Sequence, residues 1–162
     1  MKFHDIFPLF LFICDYLNAC RGVEYDAEDH LLCRHCGHEV TKALDLTHNP
    51  SPRAIHQRND TIINIPGILI QRFRNPHGSE FEVITATQAD ILKVDKAYAM
   101  DSWFPGFTWQ IVVCPRCGFH LGWLFQPLYG GEQRSFIGLI LDKLLHNTYA
   151  DSLLITPKSY NS

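Results

Sequence analysis

Four cysteines in this sequence have a spacing that indicates a chemical role. Cys33 and Cys36 form one Cys-x-x-Cys pair, and Cys114 and Cys117 form a second. Two residues between thiols allow one tight turn to direct both sulfurs at the same metal ion, and two such turns complete a tetrahedron. A glycine follows each pair, which suits a backbone that folds back beneath the sulfurs. We therefore predict one zinc ion, which is structural because four thiolates leave no open position for catalysis.

Two other uses of these cysteines stay open from the sequence. Disulfide bonds are the natural expectation in an oxidising compartment. A thioredoxin-type redox pair would need one Cys-x-x-Cys at a helix start without a matching second pair. The remaining two of the six cysteines, Cys14 and Cys20, lie in or beside an N-terminal apolar segment. If that segment is removed, no thiol outside the metal site is left for cysteine catalysis.

The three tryptophans, Trp103, Trp109 and Trp123, lie close together in the sequence and are the second candidate site. Most aromatic residues of a β domain pack in its core, but these could instead offer flat faces to a planar or cationic ligand. Histidines flank the cysteine pairs at His35, His38 and His120, and we interpret them as surface residues or as supports of the metal ligands. No Ser-His-Asp order, phosphate-binding loop or convincing carboxylate pair is present.

Length and charge limit the possible functions. The chain of 162 residues has room for one ordinary domain, and its 46% apolar residues predict a real core. The formal net charge is −3 and no basic cluster stands out, so nucleic acid is not an expected partner.

The N-terminus has the pattern of a secretory signal. Lys2 precedes the apolar stretch Ile6 to Cys14, and small residues follow near Ala19 to Gly22. We predict a signal peptide at residues 1–20, with its end between 20 and 22, and hence a secreted protein; an N-terminal core strand or helix is the alternative. No later segment is long enough for a membrane anchor. Asn59 begins Asn-Asp-Thr and is a candidate N-glycosylation site in an exposed loop.

The elements that must position these residues are predicted to be β-strands. Residues 67–74 and 79–86 are β-like runs, and Asn-Pro-His-Gly between them suits a type I turn. Residues 38–46 are predicted to be a strand and residues 47–60 an exposed loop. Residues 136–145 fit either a helix or a buried strand.

The second cysteine pair is predicted to be the turn of a hairpin. The run 107–113 leads into it and the run 119–125 leads out of it. Period-two alternation then assigns one face of each strand to a common set of side chains. These are Phe107, Trp109, Ile111 and Val113 on the first strand and Phe119, Leu121, Trp123 and Phe125 on the second.

The stretch Asp101 to Trp109 (DSWFPGFTW) resembles the signature of the CULT domain, the thalidomide-binding module of cereblon. The resemblance continues through Cys114-Pro115-Arg116-Cys117 and His120 to Phe125 (HLGWLF), and it includes Asn75 to Gly78 (NPHG). It covers about residues 30–150 of a single domain predicted at 21–162.

This resemblance implies a mainly β fold of the β-tent type, in which a four-cysteine zinc site pins two antiparallel sheets near their apex. It also implies a cage whose walls are three tryptophans, with backbone groups of the loop at Asp101 and Trp103 bonding the ligand. The residues it assigns to ligand binding are Asn75, Asp101, Ser102, Trp103, Trp109, Trp123 and Phe125. The implied ligands are glutarimide- or thalidomide-like molecules, uridine-like imides and peptide C-termini that end in a cyclised Asn or Gln.

Two departures from cereblon bear on function. Cereblon also has a Lon-like domain and an adaptor-binding helical region, and we expect neither here, so the chain resembles a secreted single-domain member that has no ligase adaptor-binding region. Asp101 stands where cereblon has a histidine, and we hypothesise that its carboxylate disfavours anionic ligands and tolerates cationic ones.

The sequence therefore predicts a non-enzymatic binding module for a cyclic imide. One alternative is an aromatic cage for a methylated ammonium or choline-like cation. Another is an enzyme that resembles methionine sulfoxide reductase B, although that chemistry needs a cysteine nucleophile. A purely structural, zinc-stabilised protein is the last.

Overall fold

A computed structural model describes residues 29–130 and 133–147. Within these ranges the protein is mainly β, and its strands form two antiparallel sheets, which confirms the predicted fold class. The predicted signal peptide at residues 1–20, with Cys14 and Cys20, lies outside the described residues. The helices of the described ranges are all too short or too polar to cross a membrane.

Two of the connections between the described strands are 3₁₀ turns, at Ala43–Asp45 and Leu141–Lys143. In chain order the strands are β1 (His30–Cys33), β2 (Glu39–Lys42), β3 (Leu46–Thr47), β4 (His56–Ile62), β5 (Ile65–Arg74), β6 (Glu80–Ala86), β7 (Leu92–Lys93), β8 (Phe107–Val113), β9 (His120–Pro127), β10 (Phe136–Ile140) and β11 (Leu144–His146).

The two sheets differ in size. The smaller sheet has the order β11-β1-β2, and the larger has the order β4-β5-β6-β10-β9-β8-β7, with β3 also pairing with β6. The segment 136–145, which fitted a helix or a strand, is β10 followed by a 3₁₀ turn and the start of β11. All five residues of β10 are buried, because this strand lies at the centre of the larger sheet.

The larger sheet is apolar on both faces, since successive side chains of a strand point to opposite sides. On β10, Ile137 and Leu139 face one side, whereas Phe136 and Ile140 face the other. We call the first group the aliphatic cluster; its buried members include Leu31, Val40, Ile68, Ile70, Ile84, Val112, Leu121, Ile137, Leu139 and Leu144. We call the second group the aromatic cluster; its buried members are Phe73, Val83, Phe104, Trp123, Phe125, Phe136 and Ile140.

The two predicted hairpins are present. Between β5 and β6, the Gly78 N–H donates to the Asn75 carbonyl at 2.9 Å, and the Asn75 side chain accepts from the Ser79 N–H at 2.8 Å. Between β8 and β9, the second cysteine pair forms the turn, and Trp109 pairs with Phe125 across the ladder.

The predicted alternation is wrong at Leu121 on β9 and at Phe119 just before it, because both pack with the aliphatic cluster. The register moves from Val112 opposite Gly122 to Val113 opposite His120, which leaves Leu121 as the extra residue of a β-bulge. Leu121 therefore packs in the aliphatic cluster, whereas Trp123 and Phe125 lie in the aromatic one.

The loop predicted at residues 47–60 is wrong in its second half, because β4 begins at His56. β4 joins β5 through Ile63 and Asn64, both of which have positive φ (50° and 58°), as a two-residue type I′ turn requires. The strand predicted at residues 38–46 is also interrupted, since β2 ends at Lys42 and a 3₁₀ turn follows. Asn59 consequently lies on an exposed strand rather than in a loop.

Candidate metal centre and aromatic cage

The two cysteine pairs lie on hairpin turns of the same construction. In the first, the Cys33 N–H donates to the His38 carbonyl at 2.7 Å, and the Gly37 N–H donates to the Cys33 carbonyl at 2.8 Å. In the second, Cys114 and Gly118 repeat both bonds, with the Phe119 carbonyl as the acceptor for Cys114, at 2.8 and 2.9 Å. The glycines have φ of +72° and +73°, a region that favours glycine.

These turns bring four thiols from the two sheets to one point. All four sulfurs lie within 4.8 Å of one another. Cys33 Sγ is 3.8 Å from Cys117 Sγ, and Cys36 Sγ is 3.6 Å from Cys114 Sγ. A tetrahedral zinc ion with Zn–S bonds of about 2.3 Å separates its sulfurs by about 3.8 Å. The donor set and its spacing therefore fit a single zinc ion.

Two of the four thiols have raised pKa values. Burial raises the pKa of Cys33, and it raises the pKa of Cys117 to about 12, so these thiols on their own would stay protonated at neutral pH. A bound divalent metal deprotonates its thiol ligands. All four cysteines are free rather than joined in disulfides. The disulfide interpretation is therefore not the one the structure adopts.

A metal at this point would connect the two sheets. Cys33 ends β1 in the smaller sheet, whereas Cys114 follows β8 in the larger. Arg34 continues the smaller sheet beside this site: its N–H donates to the Lys143 carbonyl at 2.9 Å, and its guanidinium donates to the Leu144 carbonyl at 3.0 Å.

A cavity of about 470 Å³ opens on the aromatic face of the larger sheet. Six of the seven residues that the resemblance assigns to ligand binding line it. The lining residues are Asn75, Pro76, His77, Phe81, Asp101, Trp103, Trp109, Ile111, His120, Trp123 and Phe125. We call this cavity the aromatic cage.

Neighbouring groups hold each tryptophan of the cage in place. Trp103 stacks on Phe73 with ring centroids 4.8 Å apart, and its Nε1–H donates to the Arg74 carbonyl at 3.2 Å. The Trp109 Nε1–H donates to the Met100 carbonyl at 2.7 Å, and Tyr98 stacks on this indole at 5.0 Å.

The walls meet at steep angles. The rings of Trp103 and Trp123 lie 4.7 Å apart at 73°. Phe81 and His120 each pack edge-on against Trp123, at 81° and 87°. Because both indole nitrogens of Trp103 and Trp109 bond to protein carbonyls, the indoles offer a ligand their apolar faces rather than their N–H groups.

Phe125 forms the base of the cage because a glycine lies beneath it. A Cβ added to Gly138 would come within 2.8 Å of the Phe125 ring and 3.1 Å of Val83. The neighbouring strand shows a second close approach, since a Cβ on Gly122 would lie 1.9 Å from the Gly138 carbonyl oxygen. Gly122 is the glycine of the HLGWLF motif, so the motif residue is explained by backbone packing.

The loop before β8 closes one side of the cage. Asp101 has φ of +57°, a conformation that Asp and Asn tolerate better than most residues. Ser102 does not line the cage: it is buried, and its hydroxyl donates to the Phe104 carbonyl at 3.1 Å. The carbonyls of this loop are tied to the segment before β4, since Arg53 donates to the Ser102 carbonyl at 2.8 Å and the Ser51 hydroxyl to that of Trp103.

Several lining residues were not predicted from the sequence. Phe81 and Ile111 could have been found by alternation, because they share faces with Val83 and Trp109. His120 was interpreted as a surface or supporting residue, but it lines the cage with its Nε2 3.1 Å from the Gly122 carbonyl oxygen. Burial lowers the pKa of His120, which favours the neutral ring.

Charge is sparse in the cage. Among the described residues that line it, Asp101 alone carries a permanent charge, and it is exposed at the rim. A separate groove of about 610 Å³ lies beside the first cysteine pair, but polar residues such as His38, Asp90 and Arg116 line it. It has no aromatic wall, so it does not share the chemistry of the cage.

Comparison with known proteins finds similarity to cereblon. No protein-family model matches the chain. Cereblon of Xenopus tropicalis is 44% identical over 55 residues, which is 33% of this chain and 12% of that protein. Cereblon of Danio rerio is 40% identical over 55 residues, 33% of this chain and 13% of that protein. Cereblon of Gallus gallus is 42% identical over 52 residues, 32% of this chain and 12% of that protein.

The chain thus covers about an eighth of the length of these relatives. The similarity lies within a third of the chain. The chain is similar to cereblon over this part, and its two sheets, four clustered cysteines and aromatic cage are consistent with a CULT-like domain.

Proposed function

We propose that this protein is a non-enzymatic binding module whose aromatic cage takes a cyclic imide, while a zinc ion at the four cysteines stabilises the fold. The observation that carries the proposal is the cavity between Trp103, Trp109 and Trp123, with Phe125 at its base. Its volume of about 470 Å³ lies within the range of about 300–1,000 Å³ that is usual for small-molecule sites.

The cage matches both parts of an imide. The flat ring of such a ligand packs against indole faces, which are fixed by the bonds of Trp103 and Trp109 to backbone carbonyls. The polar edge of an imide is an N–H between two carbonyls. Within residues 29–130 and 133–147, the Asp101 carbonyl and the Trp103 N–H have no hydrogen-bond partner, so the loop retains one acceptor and one donor for this edge.

The rim suits a ligand that continues beyond the ring. Pro76, His77 and Asp101 line the cage and are exposed. A free glutarimide, a uridine-like imide and a cyclised Asn or Gln at a peptide C-terminus share the ring and differ only in what extends past this rim.

Calorimetric titration of the zinc-loaded protein with glutarimide tests the proposal. We expect binding that Trp103→Ala abolishes and that Tyr129→Ala preserves, because Tyr129 is an exposed aromatic residue outside the cage. N-methylglutarimide is the matched ligand control, since it keeps the ring but lacks the N–H. Equal affinity for both ligands, or no binding by a folded and zinc-replete protein, would rule out imide recognition.

A second candidate ligand is a methylated ammonium or choline-like cation, favoured by one observation. The Asp101 carboxylate is the only permanent charge among the described lining residues, and tryptophan faces attract cations. Titration with tetramethylammonium separates the two candidates. Binding of this cation by a protein that ignores glutarimide would replace the imide proposal.

We also propose that the protein is secreted after removal of residues 1–20 and carries a glycan at Asn59, a residue that is exposed on β4. Expression of the full sequence in a secreting eukaryotic cell tests both points. We expect protein in the medium whose mass falls on treatment with an N-glycosidase, and no such fall for Asn59→Gln. Retention of the protein in the cell would contradict the secretion proposal.

A further inference from the structure

A glutamine buried in the core holds the chain segment that precedes β4. Gln71 on β5 is fully buried, and a buried amide needs partners for both its oxygen and its nitrogen. Its Oε1 accepts from the Ser51 N–H at 2.7 Å and from Gln57 Nε2 at 3.2 Å, and its Nε2 donates to the Asn49 carbonyl at 2.9 Å. Since movement of the segment would leave this amide unsatisfied, residues 49–53 have a fixed position. We call them the anchor segment.

Ser51 joins the anchor segment to the loop before β8. This side chain is buried, and its hydroxyl donates to the Trp103 carbonyl. The same oxygen accepts from the Arg53 N–H at 3.1 Å. One hydroxyl thus fixes both the loop and the point from which the Arg53 side chain leaves the segment.

The Arg53 side chain makes a second connection to this loop. Its guanidinium donates to the Ser102 carbonyl at 2.8 Å, and Ser102 is buried. Within residues 29–130 and 133–147, no carboxylate pairs with Arg53, whereas arginines of the neighbouring strands pair with Glu80 and Glu82. A charged donor forms a hydrogen bond roughly twice as strong as a neutral one. The positive charge of Arg53 therefore acts on this carbonyl.

The Ser102 carbonyl belongs to the same peptide group as the Trp103 N–H. The peptide is trans, so these two bonds point in opposite directions. Arg53 does not line the cage, and it binds this group on the carbonyl side. A hydrogen bond at the oxygen of an amide polarises the group and makes its N–H a stronger donor. The Trp103 N–H has no partner among the described residues, so this stronger donor is left for a ligand.

We propose that Arg53 is a positioning residue of the aromatic cage. It orients and polarises the peptide between Ser102 and Trp103, so that the Trp103 N–H binds an imide carbonyl. The choice of an imide rests on the proposed function, whereas the orientation of the peptide does not. The alternative is that Arg53 only holds the loop in place, in which case its loss would displace the Trp103 ring together with the peptide.

Nitrogen-15 NMR of the free protein tests the orientation of the peptide. Arg53→Ala should shift the Trp103 backbone amide nitrogen upfield, because the polarisation of this peptide is lost. The Trp103 indole N–H, which bonds to the Arg74 carbonyl, is the internal control and should keep its signal. Arg53→Lys restores a cationic donor and should return most of the shift. An unchanged backbone signal in Arg53→Ala, or equal movement of both Trp103 signals, would overturn the inference.

Calorimetric titration with glutarimide tests the effect on binding. Arg53→Ala should lower the affinity about fivefold or more, and Arg53→Lys should restore most of it. The thermal transition should stay close to that of wild type, because Arg53 is exposed. Arg72→Ala is the matched control: it removes the same charge from β5, where Arg72 bonds to Glu82 outside the cage, and should leave the affinity unchanged. Equal affinities of wild type and Arg53→Ala would contradict the proposed role.

A wild-type protein that binds no glutarimide would contradict the proposed function, and with it the use of the Trp103 N–H for an imide. The NMR signals of the free protein then decide the positioning role by themselves. An upfield Trp103 amide nitrogen in Arg53→Ala would still support the orientation of this peptide by Arg53, and an unchanged one would exclude it.

Discussion

The two faces of the larger sheet use the same strands for different purposes. On the aliphatic face, Ile84, Val112 and Leu139 are fully buried, and the four cysteines hold the smaller sheet nearby. On the aromatic face, Trp103, Trp109 and Ile111 are only half-buried around the cage. The closed face gains from burial of its whole apolar surface, whereas the open face keeps part of that surface for a ligand.

This difference teaches how binding and stability can be separated in a small domain. The walls of the cage are held by hydrogen bonds to backbone carbonyls and by ring stacking, as for Trp103 and Trp109, rather than by complete burial. Changes to these walls should therefore affect binding first. Changes on the aliphatic face or at the cysteines should affect the fold first.

The largest effect is expected at the cysteines. Cys33→Ser should unfold the protein, because a structural zinc site in a small domain contributes its binding energy to folding, on the order of 10 kcal/mol. Circular dichroism and zinc stoichiometry measure the loss of both sheets and of the metal. His35→Ala, between the two ligands of the same turn, should leave both values unchanged. Native circular dichroism of Cys33→Ser would show that the aliphatic face is stable without the metal.

Trp109→Ala should affect binding at the aromatic face without affecting the fold. We expect it to retain zinc and the native thermal transition but to lose about 30-fold or more in glutarimide affinity, since truncated hot-spot aromatics cost about 2 kcal/mol or more. Calorimetry measures ligand affinity at the aromatic face, and zinc analysis independently measures the metal site. If Trp109→Ala unfolds instead, the aromatic face is structural and the comparison fails.

Gly138→Ala should lower both stability and ligand affinity, because β10 contributes to both faces. The added methyl group would push on Phe125 and Val83, and overpacking of this kind costs about 1–3 kcal/mol. We expect a lower melting temperature together with about tenfold weaker imide binding, measured on one sample by calorimetry. Gly130→Ala is the control, as a Cβ there meets no atom within 4 Å.

Glu82 offers a test of stability in which ligand affinity should not change. Hydrogen bonds from Arg58 lower its pKa to about 2, below the ordinary value of 4.5. The ionised carboxylate therefore stabilises the fold above about pH 4.5, and this contribution is lost as the pH falls towards 2. Glu82→Gln should lower the free energy of unfolding by about 1 kcal/mol at pH 7 and by less at pH 3, without changing ligand affinity.

For Glu82, the measurement is denaturant unfolding at both pH values. Glu80→Gln serves as the comparison, because Glu80 forms a more exposed pair with Arg74. A difference between wild type and Glu82→Gln that stays constant with pH would contradict the role of the carboxylate.

The smallest effect is expected at Asp101. Asp101→Asn keeps a residue that tolerates positive φ and removes the charge at the rim. Because the carboxylate is exposed, we expect an affinity change of only about two- to fivefold, favouring anionic over cationic imide derivatives in the variant. Affinities for neutral, acidic and basic glutarimide derivatives measure this change. The same ratios in wild type, Asp101→Asn and Asp101→His would remove the charge-selectivity hypothesis.

The sequence predicted the parts of the molecule that have a strong local signal. Cys33 and Cys117 were assigned to one metal site by spacing, and the hairpins at Asn75 and at the second cysteine pair followed from turn residues and alternation. The cage tryptophans followed from the resemblance to the CULT domain, and the structure brings them together. Their role as ligand contacts stays a prediction.

The missed parts have a physical explanation. β4 is an edge strand with no apolar alternation, and its turn uses Ile63 and Asn64 in place of the common Asn-Gly, so nothing in HQRND indicates a strand. The bulge at Leu121 depends on how β9 pairs with β8, which sequence periodicity does not reveal. His120 joins the cage for the same reason, since the register of the bulge determines which way it points.

The span of chain between the cysteines has a consequence for how the molecule assembles. Cys33 and Cys117 meet across 84 residues, whereas each hairpin turn closes within a few residues. Local hairpins close in microseconds, but joining distant segments carries a larger loop-closure entropy and slows folding. During synthesis, the thiols of Cys33 and Cys36 have no partners until Cys114 and Cys117 have left the ribosome. Until then two reactive cysteines are without their partners, so in an oxidising compartment the competition between metal binding and thiol oxidation is decided in that interval.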